Sequence, residues 1–187
     1  MKTLRLLLLL GALMGTPGIA AVGLPGAVSA AIGGPDGAPR ALGSGEMRWF
    51  GLKLYDAALW VPAGQPWSLE GPYALALRYA RNIPGERLVD TSIDEIRRLG
   101  YTDEAVLARW REALSRALPS VSSGDTLVGV RLAGGGARFW HLDRPTADID
   151  DAELARAFFA IWLDPRTREP ALRALLLGEH ANAGARS

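Results

Sequence analysis

Large apolar residues recur along this chain with two different periods, and the change from one to the other marks out the elements. Leu75, Leu77 and Tyr79 alternate with Ala74, Ala76, Arg78 and Ala80, so Tyr73 to Ile83 is predicted to be a strand packed on one face. Ahead of it, Met47-Arg48-Trp49-Phe50 and the run Leu52 to Val61 are rich in aromatic and aliphatic residues, with Gly51 between them. They read as two strands joined by a tight turn, closed off by Pro62-Ala63-Gly64-Gln65-Pro66. After Pro84-Gly85 the apolar spacing becomes Leu88, Ser92, Ile96 and Leu99, a helical stripe that stops at Gly100. Thr102 can cap a second helix with Asp103 and Glu104 in its first turn and Leu107, Trp110, Leu114, Ala117 and Leu118 on its apolar side, ended by Pro119. Thr126 to Leu132 and Arg138 to Leu142 flank Gly134-Gly135-Gly136 as a β-hairpin. Asp150-Asp151 opens a helix bearing Leu154, Phe158, Ile161 and Trp162, and a last short helix carries Leu172, Leu175 and Leu176 before Gly178. Strands and helices fall in blocks, so the expected class is α+β with an antiparallel sheet.

The two ends follow different rules. Lys2 and Arg5 precede Leu6 to Leu10, and small or apolar residues continue to Val22, with the first acidic residue at Asp36. This is a secretory signal pattern, and its Gly and Pro content fits a cleaved leader better than a spanning helix. The expected leader is residues 1–30, cut after Val28-Ser29-Ala30, with Gly18-Ile19-Ala20 as an earlier alternative. The mature protein is then exported, periplasmic in location, and without a stable membrane span. Residues 31–45, mostly Gly, Pro, Ala and Ser, read as a flexible lead-in, 46–178 as the folded domain, and 179–187 as a flexible tail.

Composition narrows the chemistry. Of 187 residues, 49% are hydrophobic and 22% charged, which calls for a packed core. Lys and Arg number 21 against 20 acidic residues, so there is no basic field for nucleic acid, and none is expected as a partner. Cysteine is absent, which removes thiolate nucleophiles, disulfides and thiol-bound metals. With only His141 and His180, neither a metal site nor a cofactor is expected. The three-glycine run lacks the Lys-Ser/Thr of a phosphate loop, Asp150, Asp151 and Glu153 suit a helix start, and no serine sits in a nucleophile motif.

The segment Gly45 to Trp60 is more informative, because Arg48 and Tyr55 sit among Trp49, Trp60 and other large groups where a sheet begins. A guanidinium fork and a phenol can bind one carboxylate or enolate-like oxygen at the end of an apolar cleft. The same residues read equally well as an edge-strand arginine reaching solvent and a tyrosine capping the core.

In the run Gly45 to Val61, the Arg81 to Pro84 turn, the Gly124-Asp125 strand start, and Phe158 to Leu163 followed by Leu175 to Gly178, the chain resembles the bacterial chalcone isomerase-like family over about residues 43 to 178. The resemblance implies an open-faced β-sandwich, an antiparallel sheet backed by helices with a cleft between the layers. Plant relatives cyclise chalcones, and non-catalytic relatives bind fatty acids. It places Arg48 at the family arginine and Tyr55 near the second polar position of the long strand. The plant helix motif of Tyr, then Lys, then Asn falls on Leu88, Thr91 and Glu95, so none of the three is retained. The expectation is therefore a non-catalytic domain that binds a small hydrophobic carboxylate such as a fatty acid. Arg48 would pair with the carboxylate, Tyr55 would add a hydrogen bond, and Trp49, Trp60 and Tyr79 would line the cleft. An intramolecular lyase or isomerase acting on an enone is the alternative. A periplasmic interaction module with an aromatic surface around Trp67 or Trp140 is a third reading.

Overall fold

The computed structural model describes residues 22–33 and 37–179. Six strands form a single antiparallel sheet in chain order: β1 (Arg40–Trp49), β2 (Leu52–Val61), β3 (Tyr73–Tyr79), β4 (Thr126–Arg131), β5 (Ala137–His141) and β6 (Arg144–Ile149). Between β3 and β4 come α2 (Gly85–Arg98) and α3 (Glu104–Ala117), and after β6 come α4 (Ala152–Leu163) and α5 (Pro170–Leu176). A short α1 (Gly26–Ile32) precedes the sheet. No helix among the described residues is long and apolar enough to cross a membrane.

The period-2 pattern divides the sheet into two faces. Ala57 and Leu59 of β2, Leu75, Leu77 and Tyr79 of β3, Leu127 of β4 and Phe139 of β5 share one core with apolar residues of α2 to α5. Their neighbours Ala58, Ala74, Ala76, Val128, Val130 and Trp140 face the other way and are buried under Val22, Val28 and Ile32. Both faces of the central strands are thus dry, and the outer layer is thin.

Local chemistry fixes the helices. The Asp103 carboxylate accepts from the backbone N–H groups of Ala105 and Val106, so Asp103 and not Thr102 caps α3. Asp151 caps α4 in the same way, and its other oxygen accepts from the Trp110 indole at 2.9 Å, tying α3 to α4. Helix α5 lies directly on β1 because that strand carries glycine there. A Cβ on Gly43 would stand 2.0 Å from the Leu175 carbonyl oxygen, and one on Gly45 would stand 2.8 Å from Leu172.

Three elements depart from the expectations. Strand β1 begins at Arg40, ahead of the expected start at Glu46, since glycine-rich sequence is here a requirement of helix packing. Residues 26–30 of the expected leader and 31–32 of the expected lead-in form α1, and Val28 is fully buried; residues 1–21 and the tail from 180 onward lie outside the described residues. Strand β6 was not expected: Pro145 and a polar sequence hide it, and an edge strand tolerates both.

Candidate functional site

Between the inner face of the sheet and helices α2 and α4 lies a cavity of about 890 Å³. Its floor is Tyr55, Leu75, Leu77, Tyr79, Leu127, Gly129 and Phe139. Leu88, Thr91, Ser92 and Glu95 of α2 form one wall, at the i, i+3, i+4, i+7 spacing of a single helix face. Phe158, Ile161 and Trp162 of α4 form the other, and Met47, Trp49 and Leu52 of the β1–β2 hairpin close one end.

A β-bulge shapes that end. Met47 pairs with Tyr55 and Arg48 with Lys53, so Leu54 has no partner across the ladder. Strict alternation would put Leu52 and Tyr55 on opposite faces; the extra residue brings Leu52, Leu54 and Tyr55 all to the cavity.

Among an otherwise apolar lining, the polar groups are two phenols, the hydroxyls of Thr91, Ser92 and Thr167, the carboxylates of Glu95 and Glu169, and Asn82, Arg81, Arg87 and Arg168. Tyr55 accepts a 2.9 Å hydrogen bond from the Trp162 indole N–H, which leaves its own proton free to donate. Tyr79 packs edge-to-face against it with ring centroids 5.7 Å apart. Burial pushes the Tyr55 hydroxyl up to about 12, with the Trp162 N–H pulling weakly the other way. The Tyr79 hydroxyl is also raised by burial, and by Tyr55 beside it. Both are therefore neutral donors across the physiological range. Glu95 is held by two guanidinium groups, Arg98 at 2.8 Å and Arg168 at 2.9 Å, so it contributes no free negative charge to the wall. Arg81 and Arg87 stand exposed at the mouth and pair with no carboxylate among the described residues. Strand β3 ends at Tyr79, and Arg81 follows it in a bend of the chain at the cavity mouth. Among the described residues there is no cluster of three or more His, Asp or Glu able to hold a metal ion.

Of the five residues expected to bind ligand, Tyr55, Tyr79 and Trp49 line the cavity. Arg48 does not. Met47 and Trp49 face inward, so Arg48 between them faces out, with half its side chain exposed; it pairs with Glu46 at 2.5 Å and donates to the Gly51 carbonyl at 3.1 Å. It belongs to an outer-face chain of charges in which Lys53 meets Asp56 at 2.6 Å and Arg78 meets Asp56 at 3.1 Å. The reading of Arg48 as an edge-strand arginine is the one the geometry favours. Trp60 also faces outward, and its indole donates to the Val22 carbonyl at 2.9 Å. Trp140 is buried in the outer layer and Trp67 is half-buried, so neither heads an aromatic surface. Sequence reasoning missed Trp162, Arg81 and Arg87 as site residues. Arg81 was within reach of it, because it stands just beyond Tyr79, which was expected to line the cleft.

A family model described as chalcone isomerase-like matches residues 42–178. An uncharacterized protein of Haemophilus influenzae is 28% identical over 139 residues, covering 74% of this chain and 67% of its own length. The crystal structure of a fatty-acid binding protein from Arabidopsis thaliana is similar with a TM-score of 0.58 at 12% identity, covering 80% of this chain and 90% of that one; at that identity the likeness shows the shared fold. With the six-stranded antiparallel sheet backed by helices and a family match spanning nearly the whole sheet-and-helix body, the chain belongs to the chalcone isomerase-like family.

Proposed function

We propose that this protein is an exported, non-catalytic binding protein for a fatty acid or similar amphipathic carboxylate, held between sheet and helices. The observation that carries the reading is a largely apolar cavity of about 890 Å³ lined by two neutral phenols, with two arginines at its mouth that pair with no carboxylate among the described residues. That volume suits a small-molecule ligand, for which cavities run about 300–1,000 Å³. The acyl chain would lie along Leu75, Leu77, Leu127 and Phe139. Tyr55 and Tyr79 would donate to the carboxylate, and Arg81 would neutralise it from the mouth, in the place first assigned to Arg48. The fatty-acid binding activity named for the Arabidopsis neighbour is consistent with this.

The alternative, an isomerase acting on an enone, gains little support. The three helix positions that carry Tyr, Lys and Asn in the plant enzymes face the cavity here as Leu88, Thr91 and Glu95. They present no phenol or ammonium to steer a nucleophile or hold an enolate. Export rests on the leader pattern. Of the two cut positions, the one after Ala20 is supported by the burial of Val22 and Val28 against the sheet.

Native mass spectrometry of protein isolated from the exported fraction, followed by titration of the delipidated protein with palmitate, tests the reading. A co-purifying carboxylate and saturable 1:1 binding are expected. Failure of palmitate and of shorter and longer fatty acids to bind, together with turnover of a chalcone, would replace the carrier with the enzyme.

A further inference from the structure

The most exposed large apolar groups in the described structure sit together at one point, the tip of the β1–β2 hairpin. Phe50 is 87% exposed, Trp49 61% and Leu52 52%. Trp49 and Phe50 meet edge-to-face with centroids 4.7 Å apart, so they present one aromatic knob. The turn beneath them is unusual in its residues. Both central positions have positive φ, Phe50 at 46° and Gly51 at 77°, the arrangement that a two-residue hairpin favours and that Asn-Gly adopts with least strain. A bulky aromatic residue there is strained and, at 87% exposure, gains nothing from the fold in return. An Asn would remove the strain and the exposed apolar surface together, which points to a role for the ring in what it meets outside the protein.

Position and charge identify that partner. Trp49 and Leu52 are also part of the cavity lining, so the knob adjoins the opening. Arg81 follows β3 beside the hairpin, where Ala80 still bonds to Leu54, and with Arg87 it puts two cations without carboxylate partners at the same rim. A narrow, convex tip offers far less than the roughly 800 Å² per partner of a stable protein interface. Aromatic and aliphatic groups flanked by arginines do suit the interfacial zone of an anionic bilayer, where rings occupy the headgroup level and guanidinium groups meet lipid phosphates.

We infer that the β1–β2 hairpin tip docks this protein on anionic membranes, Trp49, Phe50 and Leu52 entering the interface while Arg81 and Arg87 meet the headgroups. Docking turns the cavity mouth toward the lipid, so that a ligand passes between bilayer and protein without crossing water. The transfer step rests on the proposed ligand binding; the docking itself does not.

Flotation of the ligand-free full-length mature protein with phosphatidylglycerol/phosphatidylcholine vesicles, alongside Phe50→Asn, tests the docking. Phe50 does not line the cavity, so this variant separates the two activities. Wild type is expected to float with anionic vesicles and to detach as salt is raised, and Phe50→Asn to lose about ten- to hundredfold in partition while its palmitate affinity in solution is unchanged. A melting temperature at or above wild type establishes that the variant is folded. Wild type that stays with the soluble fraction, or Phe50→Asn that floats equally well, overturns the inference. So does a concentration-dependent dimer that Phe50→Asn dissolves, because the knob would then be a contact between copies. Vesicle binding without palmitate binding would leave docking standing and remove the ligand assignment.

Discussion

At the scale of single residues, the site depends on two phenols that hold their protons. Burial raises the hydroxyls of Tyr55 and Tyr79, and that of Tyr73, which packs against Phe159 in the core, above the ordinary tyrosine value. In the unfolded chain the same groups ionise near pH 10. Stability is therefore unaffected by them below that pH and declines as pH rises from about 10, where only the unfolded state releases its protons. The absorbance change of tyrosinate should accordingly show these three ionising only together with alkaline unfolding; a gradual titration of all four tyrosines in folded protein would place the phenols in water. Side-chain deletions separate the ligand contacts. Arg48→Ala should leave palmitate affinity unchanged, since that guanidinium meets Glu46 outside the cavity. Tyr55→Phe should weaken it about three- to tenfold, the worth of one hydrogen bond. Arg81→Ala, removing an exposed charge screened by solvent, should cost up to about fivefold. Equal losses for Arg48→Ala and Arg81→Ala, read by isothermal titration, would break the geometry proposed for the head group. The sequence could name Tyr55 and Tyr79 because alternation and aromatic clustering are local signals. Arg48 misled because its meaning depends on parity: with Met47 and Trp49 facing inward the residue between them faces out, and nothing in the composition of Gly45 to Trp60 says which set is inner.

Elements show the same division between local and long-range causes. Helices α2 to α5 were legible from apolar stripes, helped in α3 and α4 by acidic first turns, and β2, β3 and the β4–β5 hairpin from alternation and glycine turns. What could not be read were β6, whose Pro145 is acceptable only on an edge, and the first half of β1, whose glycines become intelligible once α5 is laid across them. That packing makes a sharp forecast. Gly43→Ala would push a Cβ to 2.0 Å from the Leu175 carbonyl, backbone against backbone with no flexible side chain to yield. It should lower the unfolding free energy by about 1–3 kcal/mol or more, seen as a lower urea midpoint. An unchanged midpoint would mean that α5 is not seated on β1. The hairpin on the same strand should behave in the opposite sense: Phe50→Asn relieves a left-handed aromatic residue and should raise the unfolding free energy by about 1 kcal/mol, seen as a higher urea midpoint.

For the whole molecule the open question of architecture is the second face of the sheet. An antiparallel sheet with one wet face would carry polar residues there, yet Ala58, Ala74, Ala76, Val128, Val130 and Trp140 are apolar and fully or almost fully buried. The cover is the segment from Val22 to Ile32, fastened by Val28 and by the Trp60 indole bond to Val22. Removing it up to Ala30 exposes a contiguous apolar patch and forfeits the burial of Val22 and Val28, each worth about 1.5–3 kcal/mol, against a total stability of about 5–15 kcal/mol for a domain. A protein beginning at Ala31 should therefore melt well below one beginning at Ala21, bind a hydrophobic dye such as anilinonaphthalene sulfonate while folded, and show red-shifted tryptophan emission as Trp60 and Trp140 meet water. If the chain is exported and trimmed, the intact mass of the mature form should correspond to a start at Ala21. A mature start at Ala31 with full stability and no dye binding would mean that the outer face is stable uncovered, and the segment would have to be regarded as part of the leader after all.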